Sequence, residues 1–158
     1  MNQAVIEVFN KTLEKTHIWL VDLMQELDWQ DEHKAYLALR AVLHVLRDRI
    51  TVEEAVQLGA QLPMLVRGFY YEGWHPAGKP VKERHQELFL SHVKDAFKGD
   101  ERVNPERVVR AVFKVLANHV TKGEIEDIKH VLPKEFEVFG VPMSESRKSW
   151  SPSRLSRR

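Results

Sequence analysis

Laid over itself with position 40 set against position 110, the chain matches its own second half. Arg40, Ala41, Val42, Val45, Leu46, Thr51, Glu54, Leu62, Pro63 and Phe69 each meet the same residue type at Arg110, Ala111, Val112, Val115, Leu116, Thr121, Glu124, Leu132, Pro133 and Phe139. That is ten identities in the 30 gapless pairs of 40–69 against 110–139, where average residue usage gives about two. Apolar character is also kept at Leu39/Val109, Leu43/Phe113, Ile50/Val120, Leu58/Ile128 and Val66/Phe136, and backwards at Trp19/Phe89, Leu23/Val93 and Leu27/Phe97. The pattern predicts an internal duplication. A unit of about 60 residues is marginal as an isolated core. The two units, about 13–70 and 83–140, are therefore expected to pack into one domain spanning residues 1–143.

Each unit reads as helices. Ile6, Phe9, Leu13, Leu20, Met24 and Leu27 recur at helical steps with one gap at His17 and predict a first helix ending near Leu27 with that stripe inward. A second is expected over 31–49, with Leu39, Val42, Leu43, Leu46 and Ile50 on the core face and Arg40, His44 and Arg47 opposite. Its copy runs over 105–119, where Asn104 suits the N-cap and Pro105 the first helical position. Thr51 with Glu54, and Thr121 with Glu124, have the spacing of capping boxes that start another helix in each unit. Leu62-Pro63 and Leu132-Pro133 then stop those helices. Strand-like alternation is absent from the sequence, so the expected fold class is all-α.

The halves diverge after the proline. The first continues with Phe69, Tyr70, Tyr71 and Trp74, punctuated by Gly68 and Gly73, whereas the second is charged. Two readings stand. The aromatics fill the junction between the units, or they form a candidate interaction surface, with Arg40 and Arg110 added from the basic helix faces.

The run from Leu39 to Arg49, Glu53-Glu-Ala, Gln61-Leu-Pro63 and Tyr70-Tyr-Glu-Gly-Trp74 resembles a bacterial family of domains of unknown function, the one numbered 2267. The likeness extends to Gly123-Glu-Ile-Glu-Asp-Ile and Leu132-Pro133. It implies an all-helical, internally repeated domain, and no activity, cofactor or catalytic residue.

Composition narrows the chemistry. With no cysteine, thiolate zinc sites, iron–sulfur clusters and cysteine nucleophiles are excluded. Glycine-rich phosphate loops and a nucleophile elbow are missing from the sequence. Eight histidines raise the question of a metal. Glu14/His17 and Glu72/His75 have the spacing of a di-iron motif, but at the repeat offset Glu14 faces Arg84 and His17 faces Glu87, so the second half does not repeat the ligand pair, the second pair sits in a loop, and no metal is assigned. His44, His85, His92 and His119 are possible haem ligands with nothing to single one out, and no cofactor is assigned. Arg40, His44 and Arg47, with Arg107, Arg110 and Lys114 in the second unit, could track phosphates; a solvated face or salt bridges to neighbouring glutamates is the ordinary alternative.

Residues 144–158 hold five basic residues against one glutamate, with six serines, and predict a flexible cationic tail. Its candidate contacts are Arg147, Lys148, Trp150, Arg154, Arg157 and Arg158. The amino terminus lacks a basic start and a cleavage site, and the uncharged stretch 55–66 is too short to span a bilayer. A cytoplasmic protein without a transmembrane segment is expected. The function expected is a non-enzymatic interaction or regulatory module that binds a protein partner. The alternatives are a nucleic acid or anionic surface held by the tail, and a metal- or haem-dependent enzyme.

Overall fold

A computed structural model describes residues 1–83 and 85–140. Among them are seven α-helices, a final 3-10 helix and no strand. The helices are α1 (Gln3–Leu27), α2 (Glu32–Arg49), α3 (Val52–Gln61), α4 (Met64–Tyr71), α5 (Gln86–Asp95), α6 (Pro105–His119) and α7 (Lys122–Val131); the 3-10 helix covers Lys134–Phe139.

Their starts follow from local chemistry. The side chains of Asn2, Asp31, Thr51, Asn104 and Thr121 each accept from the backbone N–H three residues on, an N–H that the helix leaves without a partner. The first and last residues of α3, Val52 and Gln61, align with Lys122 and Val131 of α7 in the self-match, and Ile50 and Val120, which close α2 and α6, are another aligned pair. Packing follows the same order. α1 lies on α2 and α6, and α5 lies on α6 and α2, so each half lends a helix to the other's core. Trp19 and Phe89, Leu23 and Val93, and Leu27 and Phe97 are buried at equivalent positions.

Three expectations are corrected by this packing. The inward stripe assigned to α1 holds only toward its C-terminal end, where Trp19, Leu20, Leu23 and Leu27 are buried. Phe9 and Leu13 are 44% and 55% exposed. With 25 residues α1 is about 38 Å long, against about 27 Å for the 18 residues of α2, so its first turns run past the partners that would cover them.

The basic face of α2 is not solvated throughout. α4 folds over it, leaving Arg47 only 5% exposed and His44 half-buried. In the capping boxes only the threonine half forms. Glu54 Oε2 and Glu124 Oε1 are buried and accept no hydrogen bond. α3 packs on α7, and the two glutamates turn toward each other instead of back to their own caps.

Candidate functional site

The aromatic segment is mostly packing. Tyr70 is fully buried, which removes it from the interaction surface expected there, and its hydroxyl donates to the Ala55 carbonyl at 2.7 Å. Phe69 is partly covered and meets Tyr36 edge-on at 5.3 Å between ring centroids. Tyr71 lies between Tyr70 and Trp74, at 4.8 and 5.5 Å. Aromatic pairs gain from offset or edge-to-face contact; Tyr70, Tyr71 and Trp74 pack in sequence beside α2 and α3, while Phe69 pairs with Tyr36 of α2.

The arginines are engaged as well. Arg40 reaches Glu72 at 3.5 Å, and Arg110 pairs with Glu106 one turn earlier at 2.9 Å. Lys114 pairs with Glu26 at 3.0 Å. Arg47 donates to the carbonyls of Tyr70 and Glu72, at 2.5 and 2.8 Å, and so closes the C-terminal end of α4. Arg67 does the same for α3 through Gly59, Ala60 and Leu62. Sequence reasoning missed both clamps, because periodicity marks a charged residue as outward and does not show a later helix folding over it. The tail contacts Arg147, Lys148, Trp150, Arg154, Arg157 and Arg158 lie outside the described residues.

The histidines are dispersed. His17 meets Glu32 at 2.6 Å rather than Glu14, and Glu72 is held by Arg40, so neither Glu-x-x-His pair is assembled. His44 places Nε2 against the Phe69 carbonyl at 2.5 Å. Burial, with Arg47 and Arg40 nearby, holds its pKa below the usual histidine value despite that bond. His92 and His85 approach Glu83 and Glu135. His119 bonds Asp22 at 2.6 Å and stacks on Trp19, with ring centroids 4.8 Å apart. That pair borders an open cleft of about 330 Å³ with Lys15, Gln61 and Pro63. The apolar cavity between Leu46, Phe113 and Ile125 measures about 20 Å³, far too small for a macrocycle.

Two features stand out. The first is apolar. Val5, Val8 and Phe9 recur at helical steps on the uncovered turns of α1, flanked by Leu13, and all are exposed. One turn further, Thr12 lies in line with them and is buried, accepting from the Leu65 N–H at 3.2 Å. That bond seats the start of α4, with exposed Met64 and Leu65, at the end of the stripe.

The second is acidic. Glu54, Glu124 and Asp127 bring one carboxylate oxygen each to within 4.8 Å of one another. Burial first, then Glu54 and Asp127, pushes the Glu124 carboxyl up to about 7. Glu54 is raised too, by burial and then by Asp127 and Glu53. The sequence gives no sign of this meeting, since Glu54 and Glu124 already have a sufficient reason to be acidic at a helix start.

The family described as uncharacterized conserved protein (DUF2267) matches residues 16–139. The chain belongs to DUF2267. No curated protein matches it. For this DUF2267 chain the match begins inside α1, so Val5, Val8, Phe9 and Leu13 of the exposed stripe lie before the matched region. No helix among the described residues is long and apolar enough to cross a membrane.

Proposed function

We propose that this DUF2267 chain is a non-enzymatic protein-interaction module, built by duplication of one helical unit, that docks a partner on the apolar stripe of α1 and the start of α4. The carrying observation is the continuity of that stripe. Phe9 and Leu13 at 44% and 55% exposure share α1 with exposed Val5 and Val8, and the Thr12 bond to the Leu65 N–H brings the start of α4, with exposed Met64 and Leu65, against that helix. Scattered apolar residues on a surface are ordinary, whereas a contiguous group marks an interaction site. An amphipathic helix is the partner shape that such a stripe accepts, through side chains spaced three and four apart. The duplication rests on the ten identities at one offset and on helix bounds that share it.

The nucleic-acid reading draws less support from the helical body. Arg40, Arg110 and Lys114 are paired with carboxylates, and Arg47 is buried on carbonyls. That reading therefore rests on the tail.

Capture from nuclease-treated lysate, alongside light scattering over a concentration series, tests the proposal by comparing the full chain with Phe9→Lys/Leu13→Lys. The expected result is a stoichiometric protein partner, or a second copy, lost by the double variant while its thermal midpoint is unchanged. Equal capture and equal mass for both chains would overturn the docking face. Capture that disappears with nuclease would replace it by the nucleic-acid reading.

A further inference from the structure

We propose that Glu54, Glu124 and Asp127 bind one hard divalent cation, of the magnesium, manganese or calcium class, which clips α3 to α7. The two glutamates come from equivalent places. Each is the third residue of its helix, behind capping Thr51 or Thr121, and the two are an identical pair in the duplication. Gln61, the last residue of α3, bonds Thr121 through both its amide atoms, at 3.1 and 2.8 Å, and so fixes the two helices side by side. Asp127 lies one turn beyond Glu124; the matching position on α3 is Gln57. One half thus supplies one carboxylate and the other supplies two.

Acidic residues near each other on a surface need no ion. The burial here is different. Glu124, which brings one carboxylate oxygen into the cluster, is only 6% exposed, and its Oε1 is buried and accepts no hydrogen bond; Glu54 Oε2 is also buried without a partner. A buried anionic oxygen with no donor is costly, and a second and third carboxylate beside it raise the cost. No salt bridge among the described residues reaches any of the three. The missing partner is therefore a small positive charge that accepts several oxygens at once.

The donor set names its class. All three ligands are carboxylate oxygens, with no imidazole or thiolate, which suits hard cations rather than zinc or copper. Oxygens spread over no more than 4.8 Å fit around an ion whose metal–oxygen distances are about 2.0 to 2.6 Å. Asp127 is exposed, so the outer side of the cluster is open to the waters that complete such a shell.

Titration calorimetry and thermal melting of the full chain test this, after stripping with a chelator and using magnesium, manganese and calcium chloride separately at pH 7.5. At least one cation is expected to bind with one-to-one stoichiometry. It should raise the midpoint by several degrees at about a hundred times its dissociation constant. Glu124→Gln should abolish the binding. Asp127→Asn, which alters an exposed side chain and leaves the fold alone, should weaken it at least tenfold. Glu106→Gln, in a surface ion pair away from the cluster, should change nothing. The proposal is overturned if none of the three cations gives saturable heat and all midpoints match those in chelator. It is equally overturned if Glu124→Gln and Asp127→Asn bind as the unaltered chain does.

Discussion

The guanidinium of Arg47 donates to the backbone carbonyl of Tyr70 at 2.5 Å, while the Tyr70 hydroxyl donates to the Ala55 carbonyl at 2.7 Å. Through these two bonds α2 holds α4, and α4 holds α3. The aromatic segment is thereby part of the frame between helices, and the exposed start of α4 is carried on a fixed element.

Arg47→Ala is expected to destabilise the chain by about 2 to 4 kcal/mol, because the change strips the carbonyls of Tyr70 and Glu72 of their donor and each buried group left unsatisfied costs roughly 1 to 3 kcal/mol. Arg40→Ala, on the same helix but half-exposed against Glu72 at 3.5 Å, should cost under about 1 kcal/mol. Urea unfolding of both variants checks the contrast; similar losses would mean that α4 does not cover α2 as described.

Gly59→Ala tests how tightly the rings are packed. A Cβ at Gly59 would stand 2.5 Å from Tyr71 Cζ, and that ring is held between Tyr70 and Trp74. Alanine normally gains about 1 kcal/mol over glycine inside a helix, but displacing the ring costs about 1 to 3 kcal/mol. The expected result is a net loss in the single variant and a gain when Gly59→Ala is made in a Tyr71→Ala background. Denaturation of the two pairs, with Trp74 fluorescence as a second readout, measures the coupling.

Much of this fold was legible because helix starts carry their own chemistry. Asn104 with Pro105, and the threonines at 51 and 121, place three helix starts from local sequence alone. The self-match at one offset then pairs positions that are buried in both halves, as with Val42/Val112 and Leu46/Leu116. What was not legible depends on which surface another helix covers. Periodicity gives α1 a single apolar stripe broken only at His17, yet the body covers Leu20 and leaves Phe9 in solvent. The same limit hid Arg47, and it hid the meeting of Glu54 with Glu124, each of which satisfies a local rule while its position is set by a helix from the other half.

The proposed docking face is separable from stability. Phe9→Lys and Leu13→Lys replace side chains that are about half exposed, and surface changes away from packed features usually stay within about 0.5 kcal/mol. Chemical unfolding should show both variants at the unaltered chain's midpoint. A loss above about 2 kcal/mol for either, the size expected when a packed side chain is disrupted, would place these residues inside the core and remove the free stripe.

The acidic cluster also sets a pH dependence, with a definite sign. Glu124 faces Glu54 and Asp127, and its carboxyl is raised to about 7 in the folded chain from an ordinary value of 4.5. Between those two values the folded chain holds a proton that the unfolded chain has released. Its stabilising contribution is therefore complete below about pH 4.5 and is lost as pH rises through about 7. His44, whose pKa burial lowers, works in the opposite direction below its ordinary value of 6.5, so the Glu124 effect is read as a difference between variants. In chelator, the midpoint of Glu124→Gln minus that of the unaltered chain should grow from pH 5 to pH 8, because glutamine removes the charge that repulsion and burial oppose. Saturating cation should abolish or reverse that gap at pH 8, since only the unaltered carboxylate can use the ion. A gap that stays constant from pH 5 to pH 8 would show that Glu124 titrates normally and that the cluster is more solvated than its burial indicates.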